Sequence, residues 1–163
     1  MLSLSIEIVE VKESEINTIK SIAFPAWEAT YLKIVSQEQF DFMYNEMYSD
    51  DSLVKQFAEG HRFFVLYENN IPAAFVSFIT VGRVVRVPKL YVHPSEQKKG
   101  FGKILIDKVE ELNKRKFEVI ELNVNRFNPA KFFYEKLGFK IISEIDVPIG
   151  KYFMNDYIMQ KEI

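Results

Sequence analysis

The segment Gln97-Lys98-Lys99-Gly100-Phe101-Gly102-Lys103 stands between an apolar run, Val84–Val92, and the amphipathic stretch that opens at Phe101. A strand, a glycine turn and a helix in that order limit the chain to folds in which a helix crosses over a sheet. Glycine lets backbone approach a ligand without an intervening Cβ. A helix start adds unpaired N–H groups and a partial positive charge. Together these make a site for an anion such as phosphate. Two familiar phosphate loops do not fit. The third glycine of G-x-G-x-x-G is missing, since Leu105 stands there, and Lys103 is followed by Ile104 rather than Ser or Thr. On the loop alone, an anion site and a purely structural turn both remain open.

The rest of the chain supplies the sheet. Leu4–Val11 alternates apolar and polar residues, as a strand does. Ser14 opens a helical pattern with Ile16, Ile19 and Ile22 inward, which Pro25 ends or bends. Ser36 and Gln39 form a capping box ahead of Phe40, Met43, Tyr44 and Met47. A short helix over Leu53–Ala58 stops at Gly60. Asn69-Asn70 and Gly82-Arg83 punctuate three apolar runs as hairpin turns. The helix after the glycine loop runs from about Gly100 to Lys116, with Phe101, Leu105, Val109 and Leu112 on one face. A strand "EVIELNV", a helix from Pro129 to Leu137, and strands in "FKIISEIDV" and "KYFMNDYIM" follow. This order predicts an α/β fold: a mixed, mostly antiparallel central sheet with flanking helices, in one domain over residues 1–163.

Composition narrows the function. A net charge of −2 argues against a general nucleic-acid binder. The absence of cysteine removes disulfides, thiolate metal sites and a cysteine nucleophile. No apolar run approaches the roughly 20 residues of a membrane span, and the start lacks a leader pattern. The expectation is a soluble, cytoplasmic protein without membrane or nucleic-acid partners. Exposed edge strands suggest a homodimer.

A second cluster, "LNVNRFNPAKFFYEKLGF", has its own local logic. Asn128 suits an N-cap, Pro129 the first helical position and Gly138 the helix end. That logic does not explain a tyrosine beside a cap asparagine after a second strand-to-helix turn. Taken together, the two segments resemble the GCN5-related N-acetyltransferases (GNAT), a family whose acyl-CoA loop reads Q/R-x-x-G-x-G/A. Gln97, Gly100 and Gly102 match that loop, and Leu122, Val124, Asn128, Ala130, Phe133, Tyr134, Gly138 and Phe139 match the second signature. The resemblance covers Leu90–Phe139; Met1–Val81 agrees by pattern only.

The resemblance implies acetyl-CoA as acyl donor and an amine as acceptor. It implies that amides over Gly100, Phe101, Gly102 and Lys103 cradle the coenzyme pyrophosphate, that the side chains of Lys98, Lys99 or Lys103 reach its phosphates unless they are merely solvated, and that Gln97 and Asn128 lie nearby. It implies that an N–H on Leu90, Tyr91 or Val92 meets the oxyanion, and that Tyr134 protonates the departing thiolate. The alternative for Tyr134 is packing on the pantetheine arm. Relatives often carry a glutamate on the strand before the loop; here "VVRVPKLYV" has none. Pro88, without an N–H, belongs at a bulge or splay. The base is then sought in Glu28, Glu121, Asp146 or a water chain. His93 reads as a turn residue and His61 as structural or exposed.

For the acceptor, Trp27, Tyr31 and Glu28 form a candidate cationic subsite. Phe24–Gly60 holds seven acids (Glu28, Glu38, Asp41, Glu46, Asp50, Asp51, Glu59) against Lys33 and Lys55, unless these acids are merely solvated helix faces. The tail "KYFMNDYIMQKEI" loosely resembles bacterial polyamine acetyltransferases. The leading expectation is a small cationic amine such as a polyamine. The rivals are a non-catalytic acyl-CoA-binding domain and acetylation of a peptide amine.

Overall fold

The computed structural model describes residues 5–163, so the Leu4 end of the first expected strand lies outside the described residues. A seven-stranded sheet runs through the molecule in the order β1-β2-β3-β4-β5-β7-β6. The strands are β1 (Ile6–Val11), β2 (Arg62–Glu68), β3 (Ile71–Val81), β4 (Val84–Val92), β5 (Val119–Asn125), β6 (Lys140–Ile149) and β7 (Tyr152–Glu162). Every neighbouring pair is antiparallel except β4 and β5. The mixed, mostly antiparallel sheet matches the expected fold class.

The hairpin turns are where the residue types require them. Asn69 and Asn70 have φ of 51° and 66°, and Gly82 has φ of 60°. Asparagine and glycine are the residues that tolerate this region, which matches the twist of the flanking strands.

Helices cover both faces. α1 (Ile16–Tyr31), α2 (Gln37–Tyr48) and α3 (Asp50–Ala58) pack on one; α4 (Phe101–Asn113) and α5 (Ala130–Lys136) pack on the other. Strand β2 shows the division. Phe63 and Val65 enter the α1–α3 core, while Phe64 and Leu66 enter the α4–α5 core. A strand buried on both faces reads as an unbroken apolar run, as "FFVL" does. On α4, Phe101, Leu105 and Val109 are buried as expected, but Leu112 is exposed and Ile106 takes the inner position. Strand β6, at the sheet edge, is exposed along most of its length.

Helix α1 departs from expectation. It neither ends nor breaks at Pro25 but continues to Tyr31. The missing hydrogen bond falls on the carbonyl of exposed Ser21, which water can serve, while Ile19, Ile22, Ala23, Ala26 and Trp27 anchor the helix on both sides. The third helix is also longer than expected. It starts at Asp50 because Ser49 accepts from the Ser52 amide.

Parallel pairing of β4 with β5 covers only Val84–Arg86 against Val119–Glu121, after which the strands diverge. The β3–β4 register shifts over the same stretch, between Ser77 and Ile79. Pro88 lies here, at the splay that its missing N–H predicts.

Lys89, next in β4, is 7% exposed, with its ammonium 5.0 Å from the centre of the Tyr48 ring. Burial lowers its pKa from 10.5 to about 8. Between those values the unfolded chain binds more protons than the folded one, so stability rises with pH there, and below pH 8 the full penalty stands. Lys89→Met is therefore expected to stabilise the fold by about 1–3 kcal/mol at pH 7. Urea unfolding should show the gain shrinking as pH rises from about 8 to 10.5.

Candidate active site

The splay between β4 and β5 opens a cleft of about 1230 Å³. Leu90, Tyr91 and Val92 form its β4 wall. Gln97, Lys98, Gly100, Phe101 and Gly102 form its rim, and Asn128, Phe133 and Tyr134 face them from α5. Tyr31 closes it from the end of α1. Eleven residues expected at the site are thus gathered in one place.

Four expected residues are not at the cleft. Lys99 is held by Glu68 and Glu96, and Lys103 by Asp107 one helical turn on; neither lines it. Trp27 is 2% exposed within the α1–α3 core, packed against Tyr31, Phe40, Tyr44, Tyr48 and Tyr91. It faces the sheet because it continues the buried stripe of Ile19, Ile22 and Ala23. Glu28, on the outer face of the same helix, is exposed. Of the proposed acceptor trio, only Tyr31 reaches the cleft. All seven acids of Phe24–Gly60 are exposed and none lines the cleft, so they are solvated helix faces.

The two loop glycines have different reasons. Gly100 has φ of +84° and free space around a would-be Cβ, so the backbone conformation selects it. A Cβ on Gly102 would stand 2.9 Å from the Phe133 ring, so close packing selects it. The first bond of α4 runs from the Ile104 N–H to the Gly100 carbonyl at 3.1 Å. The amides of Phe101, Gly102 and Lys103 consequently have no partner within the helix. This array fits a phosphate-bearing ligand.

Just past β4, the His93 N–H donates to the Ala73 carbonyl of β3. By the alternation of an antiparallel ladder, Tyr91 also faces β3, while Leu90 and Val92 turn their amides toward the splay. Tyr134 is 8% exposed, set between Phe133 and Phe139. Burial and the nearby Tyr31 hold its phenol well above its ordinary pKa, so it carries its proton at neutral pH. The Tyr31 and Tyr91 hydroxyls are 3.4 Å apart.

The candidate bases from sequence are engaged elsewhere. Glu121 is held by Arg86 and Gln160, and Asp146 by Arg126. His93 accepts from the Ser95 amide at 3.2 Å, as a turn residue would, and His61 lies away from the cleft. Sequence reasoning missed Asp156, a carboxylate 3% exposed on β7. Burial raises its pKa, and its side-chain donor is the Asn123 amide at 3.3 Å. The available signal was an acid directly before the apolar run Tyr157, Ile158 and Met159.

A second hollow, about 520 Å³, adjoins the cleft and shares Ile34 and Phe127 with it. Gln39, Asn125, Asp146, Lys151 and Asn155 supply its polar lining.

The fold, the glycine loop and the tyrosine opposite it define an acyl-CoA-dependent acyltransferase. The chain belongs to the GNAT family: the family model described as Acetyltransferase (GNAT) domain matches residues 31–154. It is an N-acetyltransferase that uses acetyl-CoA as acyl donor, which sets aside the non-catalytic reading. It is 27% identical to the spermidine N(1)-acetyltransferase of Thermoplasma acidophilum, over 98% of each chain. It is 34% identical to the [ribosomal protein bS18]-alanine N-acetyltransferase of Haemophilus influenzae, over 50% of this chain and 55% of that one. The PaiA N-acetyltransferase of Thermoplasma acidophilum, solved in complex with coenzyme A, superposes with a TM-score of 0.83 at 26% identity, covering 98% of this chain and 99% of that one. Among the described residues no helix is long and apolar enough to cross a membrane.

Gly102→Val would drive Phe133 toward the cleft. Overpacking of this kind costs about 1–3 kcal/mol. Coenzyme A affinity, measured by calorimetry, is expected to fall by about tenfold, and Phe133→Ala in the same chain to restore part of it.

Proposed function

We propose that this enzyme acetylates a primary amine of a small cationic molecule, a polyamine being the leading case, by direct transfer from acetyl-CoA. The observation that carries the direct-transfer reading is the splay itself. The unpaired amides of α4 lie at one end of a continuous cleft, Tyr134 lines its wall, and the second hollow adjoins it across Ile34 and Phe127. The full-length similarity to a spermidine acetyltransferase supports the polyamine as acceptor. The absence of cysteine fits a reducing compartment, and we assign the activity to the cytoplasm.

In this reading the amides of Phe101, Gly102 and Lys103 hold the coenzyme pyrophosphate, helped by Lys98, the lysine of the glycine loop that lines the cleft. An amide of Leu90 or Val92 donates to the oxygen of the thioester carbonyl as charge develops there. The amine must attack neutral, although a free alkylammonium has a pKa of about 10.4. The acceptor spans the junction of the two spaces, where Tyr31 in the cleft offers an aromatic face and Asp146 in the adjoining hollow, although paired with Arg126, offers a carboxylate to a second ammonium. Tyr134 gives its proton to the departing thiolate. Burial keeps its phenol protonated at neutral pH, the state from which a donor acts.

A peptide amine is the second reading. The carboxamides of Gln39, Asn125 and Asn155 match the donors and acceptors of a backbone, and the partial similarity to an alanine N-acetyltransferase agrees.

Incubating the enzyme with acetyl-CoA and a panel of polyamines, monoamines, amino acids and short peptides, with thiol release as readout, separates these. Polyamines are expected to have the highest kcat/KM, and to lose it as salt screens charges beyond about 8–10 Å. Preference for a neutral amine or a peptide without a salt effect would overturn the polyamine reading and leave the acetyltransferase in place. Tyr134→Phe is expected to lower kcat by roughly 10²–10⁴-fold with coenzyme affinity nearly unchanged. Equal turnover would reduce Tyr134 to a packing residue.

A further inference from the structure

The attacking amine needs a proton acceptor, and every carboxylate named from sequence is exposed or committed to a guanidinium. The α1 side of the sheet holds another. Asp156 pairs with Asn125 across the β5–β7 ladder, so the side chains of Asn123, Asn125 and Asp156 share one face. Asn123 lines the cleft, and Asn125 and Asn155 line the adjoining hollow. Asp156 lines neither space itself and stands behind these asparagines, in the partition between the two.

Its surroundings fix its partner. The Arg86 guanidinium donates to Asn123 Oδ1 at 3.2 Å and to Glu121. Arginine has no acceptor, so the carbonyl end of Asn123 must face it. The Nδ2 end is thereby aimed at Asp156 Oδ2, 3.3 Å away. The groups facing the carboxylate are Tyr31 from α1, Asn123 from β5, Arg126 from the turn after β5 and Asp146 from β6. Arg126 directs its guanidinium to Asp146, to Glu144 and to the Asp156 backbone carbonyl, rather than to the Asp156 carboxylate. A carboxylate so buried, with one weak neutral donor and no cation in direct contact, holds a proton more tightly than a solvated one, burial outweighing the nearby Arg126 charge.

We propose that Asp156 is the general base that takes the proton from the acceptor ammonium, directly or across one water, and that Asn123 positions it. This rests on the acetyl-transfer reading above. The balance is simple. The ammonium gives one proton to the Asp156 carboxylate, the free amine forms the N–C bond, and the C–S bond breaks with its electron pair on sulfur. The thiolate takes the Tyr134 proton, and the remaining proton on nitrogen restores the tyrosine. Acetyl-CoA and an ammonium become an amide, free coenzyme A and one released proton.

The test is the pH profile of kcat/KM for wild type and Asp156→Asn, with the acceptor that the panel selects. Wild type is expected to rise on a limb above the ordinary carboxylate range and level near neutrality. Asp156→Asn is expected to lose roughly 10²-fold or more at pH 7 and to keep climbing into the alkaline range without that inflection. Asp156→Glu should recover part of the rate and restore the limb. Asn123→Ala removes the donor to the charged form, so it should move the limb to higher pH, which loss of packing alone would not do; it serves also if Asp156→Asn fails to fold. An unchanged profile in Asp156→Asn overturns the proposal. So does a raised KM for cationic acceptors with kcat and profile intact, because that marks a charge-binding residue. Turnover in wild type with either result overturns the role of Asp156 alone; no turnover on any amine overturns both readings.

Discussion

The site depends on one broken ladder. β4 and β5 pair in parallel for three residues each and then part. Arg86, at the last pair, reaches across to Glu121 and Asn123 and ties the strands together where they begin to diverge. Pro88 then removes the N–H that further pairing would need. Had β5 stayed against β4, the amides of Leu90 and Val92 would be consumed in the sheet. Divergence leaves them facing a cleft, where a ligand able to accept from them would satisfy donors that otherwise lack a sheet partner.

The break also joins the two sides of the sheet. α4 and α5 lie on one face, with the glycine loop and Tyr134; α1 lies on the other, with Tyr31, Tyr91 and the Asn123–Asp156 pair. An intact sheet would separate these groups by a layer of backbone. The opening lets a ligand that enters over the α4 amides meet one that enters beneath α1, and direct transfer between two bound substrates requires that meeting.

Much of this was legible in the sequence, where local chemistry decides. The hairpin asparagines, the cap at Ser36, the glycine at 100 and the proline at the splay each state a backbone requirement that no distant contact overrides, whereas Gly102 answers to the Phe133 ring. What was not legible depended on which way a helix faces. Pro25 signals a break, but the apolar stripe on both sides of it outweighs one lost hydrogen bond, and the helix continues. Trp27 follows that stripe into the core instead of facing the cleft. Lys99 and Lys103 have suitable charge in a suitable segment, yet Glu68, Glu96 and Asp107 satisfy them on the surface. Asp107 and Glu96 stand one turn away in the chain, but Glu68 is brought to Lys99 only by the fold.

The acidic residues make the same point about electrostatics. Seven acids in the N-terminal half suggested a cationic acceptor by their number, but a carboxylate on a solvated helix face acts through water and salt, and its field fades within about a Debye length. Asp156 is a single acid far along the chain, and its strand looks like core. Pairing of β7 between β5 and β6 carries it to the partition beside Tyr31 and Asn123. There the low dielectric enlarges its interaction with any ammonium that enters, while burial makes its own charge less comfortable. The attraction holds the ammonium beside the carboxylate, and the burial penalty on both charges favours moving a proton from the amine to the carboxylate. Position in the fold, and not abundance in the sequence, therefore selects which acid does chemistry.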